Sequence, residues 1–167
     1  MPKNFKPDMG KGDLGFTDLF GGRRVPKTDR RIKLNALLDD LSALLGLLKT
    51  GAAGAAAKKE LTAAQKSIIA AAAMIAGLKT GPKPDTAALE GLIAAAAARI
   101  KPPKKFALPG ANETEALAHY ARAKARVCEI LAWEIKAKAP AVYLNRLSDY
   151  LFLVAIKHSR GGRRARK

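Results

Sequence analysis

Histidine, cysteine and the aromatics are scarce in this chain: two His, one Cys and 5% Phe, Trp and Tyr in 167 residues. A lone cysteine, Cys128, closes no intrachain disulfide and is compatible with a reducing compartment. Two histidines and one thiol do not make the ligand cluster of a soft-metal centre, so no protein-held metal is expected. The scarcity of aromatics, with Ala and Leu dominating the apolar class, favours helices over strands. Long apolar runs are missing too. "SIIAAAAMIAGL" comes nearest to a membrane span and is too short, and "MPKNFKPDMGKGDLGF" at the start has no apolar core of a signal peptide. The reading is a cytoplasmic protein without a membrane anchor. Acidic residues are outnumbered, 14 against 31 basic, which leaves a formal charge of +17 and a pI near 10.3. Such a balance suits a polyanion, an anionic surface or particular ionic conditions, and charge alone does not choose among them.

What is present is an all-α pattern in three parts. Residues 1–28 carry Gly10, Gly12, Gly15, Gly21 and Gly22 with three prolines and read as an irregular, backbone-rich segment. Residues 29–157 hold five helical patterns, and residues 158–167, "HSRGGRRARK", read as a basic, disordered tail. The first pattern, roughly 29 to 49, sets Leu34, Leu37, Leu38, Leu41, Leu45 and Leu48 at helical spacing. The second and third, roughly 59 to 78 and 86 to 100, are rich in alanine, which lets neighbouring helices approach closely. "LKTG" occurs at 48 and again at 78, read as a helix stop with Gly as a left-handed cap. "KPPKKFALPG" is a proline-stiffened connector that holds out one aromatic, Phe106. The fourth helix, roughly 113 to 137, places Leu117, Ala121, Cys128, Leu131 and Ile135 on its core face, and the fifth follows Pro140 with Leu144, Leu147, Leu151 and Val154.

Polar rows flank three of these core stripes: Asn35/Asp39/Ser42, Arg122/Arg126/Glu129 and Asn145/Ser148/Asp149. One such row is ordinarily a solvated face. Asn145 and Asp149 stand among apolar neighbours, where an unpartnered amide or carboxylate costs on the order of 1–3 kcal/mol, so partners are required, and Arg122 and Asp39 are the natural ones. The chain offers no Ser/His/Asp set, no paired carboxylates and no G-x-x-x-x-G-K-[ST] loop. Arginines, lysines, amides and backbone N–H groups are equipment for holding a polyphosphate beside a second substrate that brings its own chemistry.

"GDLGFTDLFGGRRVPK" from residue 12, "LLDDLSALLG" from 37, "FALPG" from 106, "HYARAKARVCE" from 119 and "YLNRLSDYLF" from 143 occur in that order. Across roughly residues 10 to 157 the chain thereby resembles the PduO-type ATP:corrinoid adenosyltransferases. The last motif is the most specific, the glycine segment much less so. The resemblance implies a five-helix bundle with ferritin-like up-down packing, assembled as a homotrimer whose subunit interfaces bring ATP and cob(I)alamin together. It implies an enzyme transferring the 5′-deoxyadenosyl group of ATP to the corrinoid, with Mg2+ arriving through the phosphates and a cobalamin reductase or a cobalamin-dependent enzyme as possible partner. Carried over by position, Asp39, Arg122 and Arg126 belong to the catalytic machinery, Asp39 pairing with Arg122. Gly12, Thr17, Lys27, Arg126, Glu129 and Asn145 fall at nucleotide-site positions, and Phe106 falls beside the corrinoid.

The chain departs from the family pattern at several points. Met9, Gly10 and Lys11 replace Thr-rich residues before "GD", and Asp18 stands where Ser or Thr is common, a repulsive neighbour for phosphates unless magnesium or Lys11 offsets it. Val127 and Ile130 take the places of two arginines. A diverged, non-catalytic trimer that binds nucleotide or corrinoid is therefore the alternative reading. Nucleic-acid binding through the basic tail is a weaker one, because tails alone give only salt-sensitive, sequence-blind affinity.

Overall fold

The computed structural model describes residues 9–100 and 108–164, the last five as backbone alone. These residues form a hairpin, β1 (Phe16–Asp18) and β2 (Arg24–Pro26), followed by helices α1 (Arg30–Thr50), α2 (Ala55–Ile75), α3 (Thr86–Ala97), α4 (Glu113–Glu134) and α5 (Lys138–Arg164). The all-α, five-helix expectation holds.

Three of the five helices, α1, α3 and α4, start where the sequence supplies a side-chain cap. Asp29 accepts from the Arg31 backbone N–H at 2.9 Å and from its guanidinium at 3.0 and 2.7 Å, so α1 begins at the next residue. The hydrogen-bonded guanidinium holds the Asp29 carboxyl at about 2, well below its usual 3.8. Asp85 caps α3 through the Ala88 N–H, and Asn112 caps α4 through the Glu115 N–H. Beyond its cap, α1 buries Leu34, Leu38, Leu41, Leu45 and Leu48 to 1% exposure or less, the stripe its spacing predicts. Burying each such leucine contributes about 1.5–3 kcal/mol. Leu37 sits at the edge of that stripe, and Leu44 joins it.

The buried face of α4 differs from the expectation. Ala118, Ala121, Ala125, Cys128 and Ala132 are fully covered, while Leu117, Leu131 and Ile135 are only partly so. Small residues on the inner face let α4 lie close against α5, and this pair forms the most extensive helix contact in the bundle. The short 135–137 turn between them, with Lys136 at φ 59°, makes the two antiparallel neighbours. α1 packs on α2 and α4, and α3 lies on α5.

Other boundaries move as well. α5 starts at Lys138, before Pro140, because a proline in the first turn removes an N–H that has no intrahelical acceptor. It continues to Arg164, past the 157 boundary read from the sequence. Gly51 is right-handed at φ −83°, and α2 stops at Ile75 with the left-handed residue at Gly77, so neither "LKTG" ends in a left-handed glycine cap. The glycine-rich segment holds an antiparallel ladder, Phe16↔Pro26, Thr17↔Val25 and Asp18↔Arg24. Its turn passes through Gly21 and Gly22 at φ 81° and 78°, a conformation other residues adopt at a cost. The Phe20 N–H then donates to the Ala76 carbonyl at 2.9 Å and seats the hairpin on the end of α2. No helix among the described residues is long and apolar enough to cross a membrane.

Candidate functional site

Helical spacing puts Arg122, Arg126 and Glu129 on one flank of α4, and α5 runs alongside it. Glu129 Oε1 accepts from Asn145 Nδ2 at 3.1 Å, and Asn145 Oδ1 accepts from a terminal nitrogen of Arg146 at 2.8 Å. Arg146 Nε in turn donates to Glu90 Oε1 of α3 at 2.9 Å. Two turns along, the Arg122 guanidinium lies 5.9 Å from the Phe152 ring centre, and its Nε is buried without a hydrogen-bond partner among the described residues. Arg126 is exposed. The seam thus displays two arginines, a carboxylate and an oriented amide.

At the N-terminal end of α4 the seam closes on a buried carboxylate. Glu115 is fully covered, and its Oε2 accepts the Gly110 and Ala111 N–H groups at 2.8 and 3.0 Å. Its Oε1 lies 3.3 Å from Nε2 of the buried His119, whose ring meets Phe152 edge-on at 6.3 Å. With the Asn112 cap this is a capping box in which the carboxylate reaches back to the incoming chain. It pins the end of the "FALPG" connector to α4. Phe106 itself lies outside the described residues.

The hairpin builds a second corner. A Cβ at Gly12 would stand 2.9 Å from Lys27 Nζ, so the missing side chain is what lets that ammonium lie over the backbone. The Lys27 N–H donates to the Gly15 carbonyl at 2.8 Å, and Thr17 sits opposite Val25 in the ladder. Asp18 is met by Lys11 Nζ at 3.3 Å and by Arg24 at 3.8 Å, while Arg24 also donates to the Lys11 carbonyl at 3.1 Å. The carboxylate that threatened to repel phosphate is therefore offset within the loop.

Three expectations about partners fail within one chain. Asp39 is exposed, and among the described residues no ion pair joins it to Arg122. The α1 carboxylate that meets α4 is Asp40, 2.6 Å from Lys124 Nζ. Asp149 is exposed, whereas Ser148 turns inward and donates to the Asn145 carbonyl at 2.8 Å. Asn145 takes its partners from Glu129 and Arg146 because α5 is rotated so that the Asn145 side chain faces α4 instead of α1. Glu90 and Arg146 escape sequence reading because they act across elements, whereas Glu115 acts locally and the Asn-x-x-Glu spacing ahead of α4 is the signal that could have found it.

Other features are inert or lie elsewhere. Burial pushes the Cys128 thiol up to about 12, which leaves it un-ionised and unreactive. A cavity of about 280 Å³ opens among α2, α3 and α5 beside Ser67, Lys83 and Tyr143, and no candidate residue lines it. Val127 and Ile130 are 45% and 57% exposed, forming with Tyr120 and Trp133 an apolar outer side of α4. Among the described residues no group of three or more His, Cys, Asp or Glu gathers for a metal.

A five-helix bundle with an arginine-and-amide seam and a glycine-lysine hairpin is a scaffold for holding an extended anion. A profile of the family "Cobalamin adenosyltransferase" matches residues 8–158, and the chain belongs to that family. It is 36% identical over 157 residues to the corrinoid adenosyltransferase PduO of Salmonella typhimurium, covering 86% of this chain and 47% of that one. To a corrinoid adenosyltransferase of Citrobacter freundii it is 34% identical over 158 residues, covering 86% and 89%. The chain spans about half the length of the PduO relatives it matches. A variant PduO-type ATP:corrinoid adenosyltransferase from Lactobacillus reuteri, solved with cobalamin and ATP, superposes with TM-score 0.83 at 24% identity over 93% of this chain and 94% of that one. At that identity the likeness speaks for the fold.

Proposed function

We propose that the protein transfers the 5′-deoxyadenosyl group of ATP to cob(I)alamin at the interfaces of a homotrimer. The observation that carries this reading is the α4/α5 seam: Arg122, Arg126 and Glu129 alongside an Asn145 amide already held by hydrogen bonds. The activity by which the relatives 36% and 34% identical are named supports it.

The corrinoid is the nucleophile. Its Co(I) electron pair forms the bond to C5′ while the C5′–O5′ pair leaves on tripolyphosphate, so no protein nucleophile is needed. The chain's residues place the nucleotide and neutralise charge. Lys27 beside Gly12, with Thr17 and the hairpin N–H groups, serves the phosphates, and Arg126 adds a guanidinium to them. Glu129 and Asn145 orient the nucleoside, and Phe106 stands beside the corrinoid. Mg2+ enters with the phosphates, and Co(I) requires a reductase partner.

The shared-interface part has its own support. Among the described residues no hydrogen bond or ion pair joins Gly12, Thr17 or Lys27 to the seam. The buried Arg122 Nε and the exposed Asp39 each lack a counterpart among the described residues. A neighbouring copy supplies both, with Asp39 of one subunit meeting Arg122 of the next.

Anaerobic incubation with chemically reduced cob(I)alamin and ATP tests the reading, with adenosylcobalamin and tripolyphosphate as the expected products in equal amounts. ATP binding by calorimetry without turnover would instead favour a diverged binder, for which the apolar Val127 and Ile130 give a reason.

A further inference from the structure

We propose that Glu90 and Arg146 are positioning residues: a relay from α3 through α5 that locks the Asn145 side-chain amide in one of its two orientations. The inference rests on the reading of Asn145 as a nucleotide contact, although the relay itself is visible without ligand.

The argument starts from the shape of an amide. Its oxygen and nitrogen ends are nearly the same size, so packing barely distinguishes the two orientations, and hydrogen bonding has to do so. Asn145 stands between an ionised Glu129, which only accepts, and an Arg146 guanidinium, which only donates. One orientation satisfies both, with Nδ2 on Glu129 at 3.1 Å and Oδ1 on Arg146 at 2.8 Å. The reverse places oxygen against carboxylate and N–H against guanidinium.

Arg146 could not do this as a free rotor. Its side chain is 39% exposed, and Glu90 Oε1 holds its Nε at 2.9 Å, which fixes the plane of the guanidinium and aims its terminal nitrogen at Asn145. The half-exposed Arg146/Glu90 pair adds little to stability. What the relay sets is direction: the second Nδ2 proton and the second Oδ1 lone pair face the ligand as a fixed donor and acceptor. A nucleotide then meets an amide whose ordering entropy has already been spent.

Two measurements test this. In ligand-free protein labelled with 15N-asparagine, the two Asn145 Nδ2 proton resonances should lie displaced from those of a free asparagine amide, and Arg146→Ala should move them towards the free values. An unchanged pair of resonances would overturn the relay. For ATP binding by calorimetry, Arg146→Ala should raise Kd about five-fold and Glu90→Ala about two-fold, with the unfolding midpoints nearly unmoved. The double exchange Glu90→Arg/Arg146→Glu separates positioning from tethering. It rejoins α3 to α5 but puts an acceptor beside Oδ1, so ATP affinity should stay at least as low as in Arg146→Ala. Recovery of the parent's affinity would show that the pair is only a tether. Should the parent, or Asn145→Ala, show no ATP-dependent difference, the nucleotide reading of Asn145 fails, and the amide resonances alone decide the relay.

Discussion

Asp29 and Glu115 are both helix-start carboxylates, and their surroundings give them different weights. Asp29 is 20% exposed, and its hydrogen bonds to Arg31 lower its pKa from 3.8 to about 2. A carboxyl depressed in the folded state stabilises fully above its ordinary value and loses that contribution as pH falls from about 4 through about 2. Asp29→Asn keeps the cap but not the charge. It should cost less than about 1 kcal/mol at pH 7 and only a small fraction of that at pH 2, where about half of the folded-state carboxyl is already protonated, read by urea unfolding at both values. Glu115 is sealed in the bundle with two backbone donors and His119 on it. Glu115→Ala strands those donors and should cost about 2–4 kcal/mol, whereas Glu115→Gln, which keeps an acceptor for the Gly110 and Ala111 N–H groups, should cost less than half of that. Equal losses in the two variants would show that charge, not the acceptor, is what the site needs.

The hairpin is the element whose reading changed most, from irregular loop to an ordered corner, and Arg24 organises it. One guanidinium pairs with Asp18, donates to the Lys11 carbonyl and lies 5.9 Å from the Phe16 ring centre. Arg24→Ala should barely alter thermal stability, since these groups are exposed. It should weaken ATP binding by roughly ten-fold, because the Asp18 charge then faces the phosphates with only Lys11 against it. Calorimetry at two salt concentrations checks this, and the loss should shrink as salt screens the repulsion. The strands are three residues each, too short for alternation to show in a sequence dense with glycine. The leucine stripe of α1, by contrast, was legible but for Leu37 and Leu44, because large apolar residues repeating over 21 residues admit one buried face. α4 was legible only in part: Ala121 and Cys128 are buried as expected, but alanine is apolar enough for either face, and close contact with α5 covers Ala118, Ala125 and Ala132 more fully than Leu117, Leu131 and Ile135.

For the whole molecule, the decisive question is what Asp39 and Arg122 do when copies meet. If the proposed trimer forms through them, Asp39→Arg and Arg122→Asp should each weaken it in sedimentation equilibrium, and the double exchange should restore it. Single variants that remain trimeric would remove this contact from the interface. The amino-acid sequence determined the helical class, the starts of α1 and α4 to within a residue, the leucine core and family membership, because periodicity and motif order are local or nearly so. Tertiary structure decided the rest. The Glu90–Arg146–Asn145–Glu129 chain joins residues from three helices, and whether Asn145 faces α1 or α4 depends on the rotation of α5 about its axis. Likewise, Asp40 and not Asp39 meets α4 within the chain, because adjacent residues on a helix point 100° apart and packing alone selects which of them turns inward.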